Sequence, residues 1–184
     1  MRKDYIILAL RSSGIIAISM AWFVIALAIH FNPWFILTKH ALSDLGTSRA
    51  LMPQIYNYGL MITAMFVILF SGYLAIKATN KVETFAAAYL SIAGMFLALI
   101  GIFPGGTKPH TFVSTWFFIQ AQLSVLMKAI GVIRKSRKYA ILLFALFLLA
   151  ILGGLLEWPS VAIEEIYEII LLDVYVIMEA IIYS

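Results

Sequence analysis

The sequence has no cysteine and little charge. Of its 184 residues, 12% are Asp, Glu, Lys or Arg and 64% are hydrophobic. Soluble domains carry about 25% charged residues, roughly twice this share. A soluble globular domain, a disordered chain and a nucleic-acid-binding protein are therefore excluded. The lack of cysteine also excludes disulfides, thiolate metal sites and cysteine nucleophiles.

Long apolar runs take the place of the missing charge. A bilayer core of about 30 Å requires about 20 helical residues at about 1.5 Å per residue. Six runs meet this length, and the connectors between them are too short for a soluble domain. The sequence predicts an all-α integral membrane protein in which residues 1–184 form a single transmembrane helical domain. The predicted spans are residues 8–31, 54–77, 83–103, 111–133, 139–158 and 161–183.

Lysine and arginine predict the orientation of these spans, because cytoplasmic segments of membrane proteins are enriched in both. Only Lys39, Arg49 and Lys108 fall on one side, which we take as the outer side. The other side holds both termini and ten basic residues: Arg2, Lys3, Arg11, Lys77, Lys81, Lys128, Arg134, Lys135, Arg137 and Lys138. We therefore expect cytoplasmic termini in a plasma membrane protein.

Histidines and most acidic residues gather on the outer side, which has few basic residues. They are His30, His40, His110, Asp44, Glu157, Glu164, Glu165 and Glu168. Ionisable groups at or inside a membrane are costly and usually have partners or functions. The outer side is therefore the predicted location of a functional site.

Three of the predicted spans carry polar stripes, and the stripe on the first span holds Ser12, Ser19 and His30. At about 100° per residue, one face of the sixth span holds Glu164, Glu168, Tyr175 and Glu179, with Glu165 at its edge. Asp173 lies near the bilayer midplane on another face, and we expect it to be protonated, hydrogen-bonded or paired. The fourth span aligns His110, Ser114, Ser124 and Lys128, with Gln120 nearby. Either these stripes converge on a polar interior that opens outward, or they make ordinary interhelical hydrogen bonds.

The first loop, residues 32–53, is long for a compact bundle and mixes leucines with polar groups. We expect it to fold back over the outer face as a short helix that caps the bundle.

Three short motifs resemble the Domain of Unknown Function 998 family of membrane proteins. They are the His-Ala-Leu-Ser-Asp-Leu-Gly stretch from His40 to Gly46, Pro53 with Asn57–Leu60, and Gly101–Pro104 followed by His110. The resemblance covers roughly residues 10–155 and implies a multi-helix membrane bundle without an assigned reaction. It also implies a distant similarity to the FRAG/DRAM/Sfk group, some of whose members are linked to lipid handling.

The leading hypothesis for function is the binding of a membrane lipid or small amphiphile at the outer side. An apolar bundle with polar groups gathered at one interface has the usual composition of a ligand pocket. The candidate ligand-binding residues are His40, Asp44, His110, Ser114, Glu157, Glu164 and Glu168.

Two alternatives stay open. A metal-dependent membrane lipid hydrolase would use His40, Asp44 and His110 as zinc ligands, although no paired zinc-binding motif is present and no other cofactor is indicated. An ion- or proton-coupled transporter or channel would use intramembrane polar groups such as Asp173, Gln120 and Lys128. Partners other than lipid would be a second copy of the chain or another membrane protein.

The predicted orientation can be tested by cysteine labelling, because the cysteine-free chain gives no background. We expect a membrane-impermeant maleimide to label Thr107→Cys in intact cells, because the third loop lies on the predicted outer side. Lys81→Cys, in the second loop, should be labelled only after permeabilisation. Labelling of Lys81→Cys in intact cells would contradict the predicted orientation and support the opposite one.

Overall fold

The computed structural model describes residues 2–182, with side chains from Asp4 to Ile181. Every regular element within these residues is helical. The six main helices are α1 (Arg2–Phe31), α2 (Pro53–Lys77), α3 (Lys81–Ile102), α4 (His110–Val132), α5 (Arg137–Gly153) and α6 (Val161–Ile177). A 3₁₀ helix, Leu42–Gly46, lies in the first loop, and a π-helix, Met178–Ile182, continues α6. The prediction of an all-α fold is confirmed.

Four of the helices are long and apolar enough to cross a membrane: Asp4–Phe31 within α1, then α2, α3 and α4. Helices α5 and α6 have 17 residues each. Helix α1 begins before the predicted start at Leu8, because the polar residues that precede the apolar run do not break a helix. Helix α5 ends at Gly153 instead of residue 158, since Gly153 and Gly154 are poor helix formers. The predicted end of the sixth span, Tyr183, lies outside the described residues.

Helix starts follow local sequence signals. The side chains of Asn80, Ser136 and Ser160 accept a hydrogen bond from the backbone N–H three residues on, and so cap α3, α5 and α6. Pro53 occupies the first turn of α2, where its missing N–H costs nothing. These residues define where the four helices begin.

Consecutive helices run antiparallel, and α6 closes the bundle beside α1, α4 and α5. Helix α6 runs parallel to α4, as the contacts between them show. Going along both helices in the same direction, Gln122 pairs with Glu168, Ser124 with Tyr175 and Lys128 with Glu179. The bundle therefore has two ends. The loop end holds the connectors at residues 32–52, 103–109 and 154–160, and the basic end holds those at residues 78–80 and 133–136.

The first loop folds over the loop end, as predicted. Leu42 and Leu45 in its 3₁₀ helix are 1% and 0% exposed and pack into the apolar cluster between α1, α2, α3 and α4. Asn57 of α2 donates to Gly46 O at 2.9 Å. Gly46 has no room for a side chain, since a Cβ would lie 2.2 Å from Asn57 Oδ1.

Asn32 anchors the two ends of this loop to each other. Its Nδ2 donates to Ala28 O at 2.8 Å and to Leu51 O at 3.1 Å. Its Oδ1 accepts from Trp34 Nε1 at 2.9 Å and from Leu51 N at 2.7 Å. One buried amide therefore satisfies four groups that the end of α1 and the loop would otherwise leave unpaired.

Asn32→Ala should lower the free energy of unfolding by about 1–3 kcal/mol, because it leaves the part-buried N–H donors of Leu51 and Trp34 without their acceptor. Thermal unfolding in detergent, together with proteolysis of the first loop, measures the effect. The matched control is Thr38→Ala, which truncates an exposed residue of the same loop. Equal stability of the two variants would contradict the anchoring role.

Candidate functional site

A central cavity lies between α1, α2, α3, α4 and α6 and is covered at the loop end by the first loop. Its empty volume, counted with the open space at its mouth, is about 1050 Å³. Most lining residues are apolar. The polar ones are Tyr56, Thr63, His110, Ser114, Glu165, Asp173 and Tyr175.

His110 and Ser114, both predicted site residues, line this cavity at its loop end. His110 is the first residue of α4, and its Nδ1 lies 2.8 Å from Phe103 O. Because a carbonyl oxygen only accepts, Nδ1 carries a proton, and Nε2 of a neutral ring is left as an acceptor. Ser114 Oγ donates to His110 O at 2.9 Å. The third loop thus fixes the orientation of the histidine.

Glu165 also lines the cavity, although the sequence prediction left it out of the site. Its Oε2 accepts from Leu42 N at 2.7 Å and so binds α6 to the first loop. Two further bonds join the same elements: Ala162 N donates to His40 O at 2.9 Å, and Ser160 Oγ donates to Leu37 O at 2.5 Å. The position of Glu165 at the edge of the acidic stripe was the signal available in the sequence.

Asp173 faces the cavity deeper in the bundle and accepts from Trp22 Nε1 of α1 at 2.7 Å. Of the three states expected for this carboxyl group (protonated, hydrogen-bonded or paired), the structure shows the hydrogen bond. The bond also links α6 to α1 across the cavity.

His40 and Asp44 lie in the first loop and do not line the cavity. His40 Nδ1 accepts from Ile36 N at 2.9 Å, and its ring contacts Trp34 and Phe35 at centroid distances of 5.3 Å and 5.6 Å. Asp44 Oδ2 accepts from Ala41 N at 3.0 Å. Both side chains hold the conformation of the loop.

The other predicted site residues also lie outside the lining. Glu157 is exposed and Glu164 is half-buried. Glu168 is buried and accepts from Gln122 Nε2 at 3.0 Å. Gln122 was not among the predicted residues, whereas the predicted Gln120 is buried with its Oε1 lacking a partner among the described residues.

The metal hypothesis requires a convergent ligand set. Within residues 2–182, no group of three or more His, Asp or Glu side chains is arranged to hold a metal ion. His40, Asp44 and His110 are each engaged with the backbone instead.

A second cavity, here called the basic-end cavity, opens at the opposite end of the bundle, with an empty volume of about 1100 Å³ including its mouth. Its floor is a buried charge cluster. Lys128 Nζ lies 3.1 Å from Glu83 Oε2 and 3.1 Å from Glu179 Oε2, and all three residues are at least nine-tenths buried. The cluster joins α3, α4 and the π-helix after α6.

Neutral donors complete this cluster. Glu83 Oε1 accepts from Thr79 Oγ1 at 2.6 Å and from Asn80 Nδ2 at 2.9 Å. Tyr139 of α5 donates its hydroxyl to Glu179. The sequence had placed Lys128 and Glu179 on polar stripes. It gave no sign of Glu83 as their partner, because a Glu three residues after a capping Asn is also typical of a helix start.

Comparison with known proteins identifies a family. The family model described as "Protein of unknown function (DUF998)" matches residues 15–182. No curated protein and no solved structure matches the chain. The distant similarity to the FRAG/DRAM/Sfk group stays a prediction.

Lys128→Met should lower the free energy of unfolding by about 3–5 kcal/mol, because it leaves two buried carboxylates without their cation. Unfolding in mixed micelles measures this loss. Adding Glu83→Gln and Glu179→Gln should recover part of it, since amides need no counter-charge.

Lys81→Met is the matched control for this substitution, because Lys81 is exposed at the same end of the bundle. A loss at Lys128 no larger than the loss at Lys81 would contradict a stabilising role for the cluster.

Proposed function

We propose that this chain, which belongs to the DUF998 family of proteins of unknown function, binds a single-chain amphiphile from the membrane in its central cavity. The observation that carries the proposal is the form of that cavity: a mostly apolar space lined by five helices, with four of its seven polar lining residues at the loop end. Ligand pockets typically combine such apolar walls with a few fixed polar groups.

The length of the cavity favours an extended chain over a compact ligand. Along α6 its lining extends from Glu165 to Val176. At about 1.5 Å per residue, this distance is about 16 Å, roughly half of a bilayer core. An alkyl chain placed along this axis would contact apolar side chains of α1, α2 and α4 over most of its length.

The polar lining favours a neutral or cationic headgroup. Glu165 and Asp173 line the cavity, and among the described residues no lysine or arginine does. An anionic headgroup at the loop end would lie near the carboxyl group of Glu165 with no permanent cation in the lining, in a medium of low dielectric constant. A hydroxyl or ammonium group could instead donate to Glu165 or to His110 Nε2.

The membrane setting is part of the proposal. We propose that α5 and α6 cross the bilayer with the other four helices, that both termini are cytoplasmic, and that the membrane is the plasma membrane. A 17-residue helix is about 26 Å long, at the short end of the range for spanning helices. The π-helix extends α6 toward the basic end.

One observation favours ion- or proton-coupled transport as a second candidate function. Tyr175 lines the central cavity, and Glu179, four residues on, lines the basic-end cavity. Val176 also lines the central cavity, so the two cavities are separated along α6 by about 4.5 Å, less than one helical turn. Ser124 and Tyr175, 3.2 Å apart and fully buried, lie in this layer. Zinc-dependent hydrolysis has no comparable support in the geometry.

Native mass spectrometry of the purified chain tests amphiphile binding, with dodecylamine and dodecanoic acid as probes of equal chain length. At neutral pH we expect one dodecylamine per chain. Dodecanoic acid should bind more weakly by about tenfold or more, because its carboxylate would lie beside the carboxyl group of Glu165. A tenfold difference in affinity corresponds to about 1.4 kcal/mol. Glu165→Gln should reduce the preference for the amine.

Ala21→Phe and Ala26→Phe form a matched pair on α1 for this measurement. Ala21 lines the cavity, whereas Ala26 is exposed on the outside of the bundle. The larger side chain at residue 21 should abolish dodecylamine binding, and the same change at residue 26 should leave it intact. Equal binding by both variants would place the amphiphile outside the cavity and refute the proposal.

A further inference from the structure

The basic-end cavity is separate from the proposed amphiphile site and has a different lining. Glu83, Lys128, Tyr139 and Glu179 form its buried floor, and Lys77 and Lys135 stand exposed at its mouth. The two cavities share no lining residue, so a ligand of the basic-end cavity would bind independently of the central cavity.

The carboxylates of the floor are already engaged. Glu83 accepts from Thr79, Asn80 and Lys128, and Glu179 accepts from Tyr139 and Lys128. Every one of their four oxygens has a donor. The floor has little remaining capacity to accept hydrogen bonds from a ligand.

The lysines, in contrast, have donors to spare. An ammonium group carries three N–H donors, and Lys128 uses two of them on Glu83 and Glu179. The side-chain ammonium groups of Lys77 and Lys135 make no hydrogen bond or ion pair with the described part of the chain. The unused hydrogen-bonding capacity of this cavity is therefore mostly that of cationic donors, which suit an anion with several acceptor oxygens.

The charge of the cavity limits which anion fits. Three lysines and two glutamates give its lining a formal charge of +1. A phosphodiester carries a single negative charge and would neutralise this lining. A phosphate monoester carries about −1.5 to −2 at pH 7 and would leave an excess of negative charge beside the two buried carboxylates.

We propose that the basic-end cavity is a binding site for a monoanionic phosphodiester, as carried by the headgroup of an anionic phospholipid. The phosphate lies at the mouth between Lys77 and Lys135, above the buried cluster. The predicted orientation would place this end in the cytoplasmic leaflet, where anionic lipids concentrate and basic pockets between helices bind their headgroups.

Native mass spectrometry with phosphatidylglycerol and phosphatidylcholine of identical acyl chains tests this site. We expect retention of one phosphatidylglycerol per chain and weaker retention of phosphatidylcholine, whose headgroup has no net charge. The double variant Lys77→Gln/Lys135→Gln should lower the affinity for phosphatidylglycerol by about tenfold or more, since each lysine at an anionic surface contributes to attraction.

The double variant Lys81→Gln/Lys138→Gln is the matched control. It removes the same charge from exposed lysines at the same end of the bundle, but neither residue lines the cavity. Its affinity should stay within about twofold of the unmodified chain, because attraction to the general surface potential is weak at a distance. An equal loss in both double variants, or no loss in either, would overturn the site.

A third arm distinguishes lipid from a soluble source of the same chemistry. Glycerophosphoglycerol, the headgroup without acyl chains, should fail to displace phosphatidylglycerol at equal concentration if the ligand is a lipid. Displacement that requires Lys77 and Lys135 would retain the phosphodiester site and overturn the lipid as its ligand.

Discussion

The fold depends on one constraint of the bilayer: a polar group inside it must find its hydrogen-bond partner within the protein. Helices meet this constraint for their own backbone, but the first loop cannot. Its backbone is satisfied by the loop's own Asn32 and by side chains from two other elements, Asn57 in α2 and Glu165 in α6. These bonds hold the loop against the bundle, and the loop in turn covers the central cavity.

At the opposite end, the same constraint acts on charges. Lys128 lies between two buried carboxylates, and Tyr139, Thr79 and Asn80 supply the remaining donors. Removing one charge would leave another uncompensated, so the cluster fixes α3, α4, α5 and the end of α6 relative to one another. The polar contacts at the two ends thereby enclose an apolar middle, which is where the central cavity lies.

The sequence pattern predicts the location of helix residues better than that of loop residues. His110 and Ser114 share a face at the start of α4, and both line the cavity, because an isolated helix already determines which residues share a face. His40 and Asp44 are four residues apart and were expected to form part of the site. They lie outside the cavity lining and bond to the loop backbone, since the partners of a loop residue depend on the whole chain path.

The sequence by itself determined the all-helical class, the main apolar runs and the capping first loop. Hydrophobic length, helix caps and the spacing of polar residues are local properties, and each can be recognised without knowledge of neighbouring helices. Only the tertiary structure decided that Glu165 faces the cavity, that Gln122 and not Gln120 pairs with Glu168, and that Glu83 completes the Lys128 cluster. Such pairs join residues 45 or more positions apart, and helix rotation and packing alone decide which side chains meet.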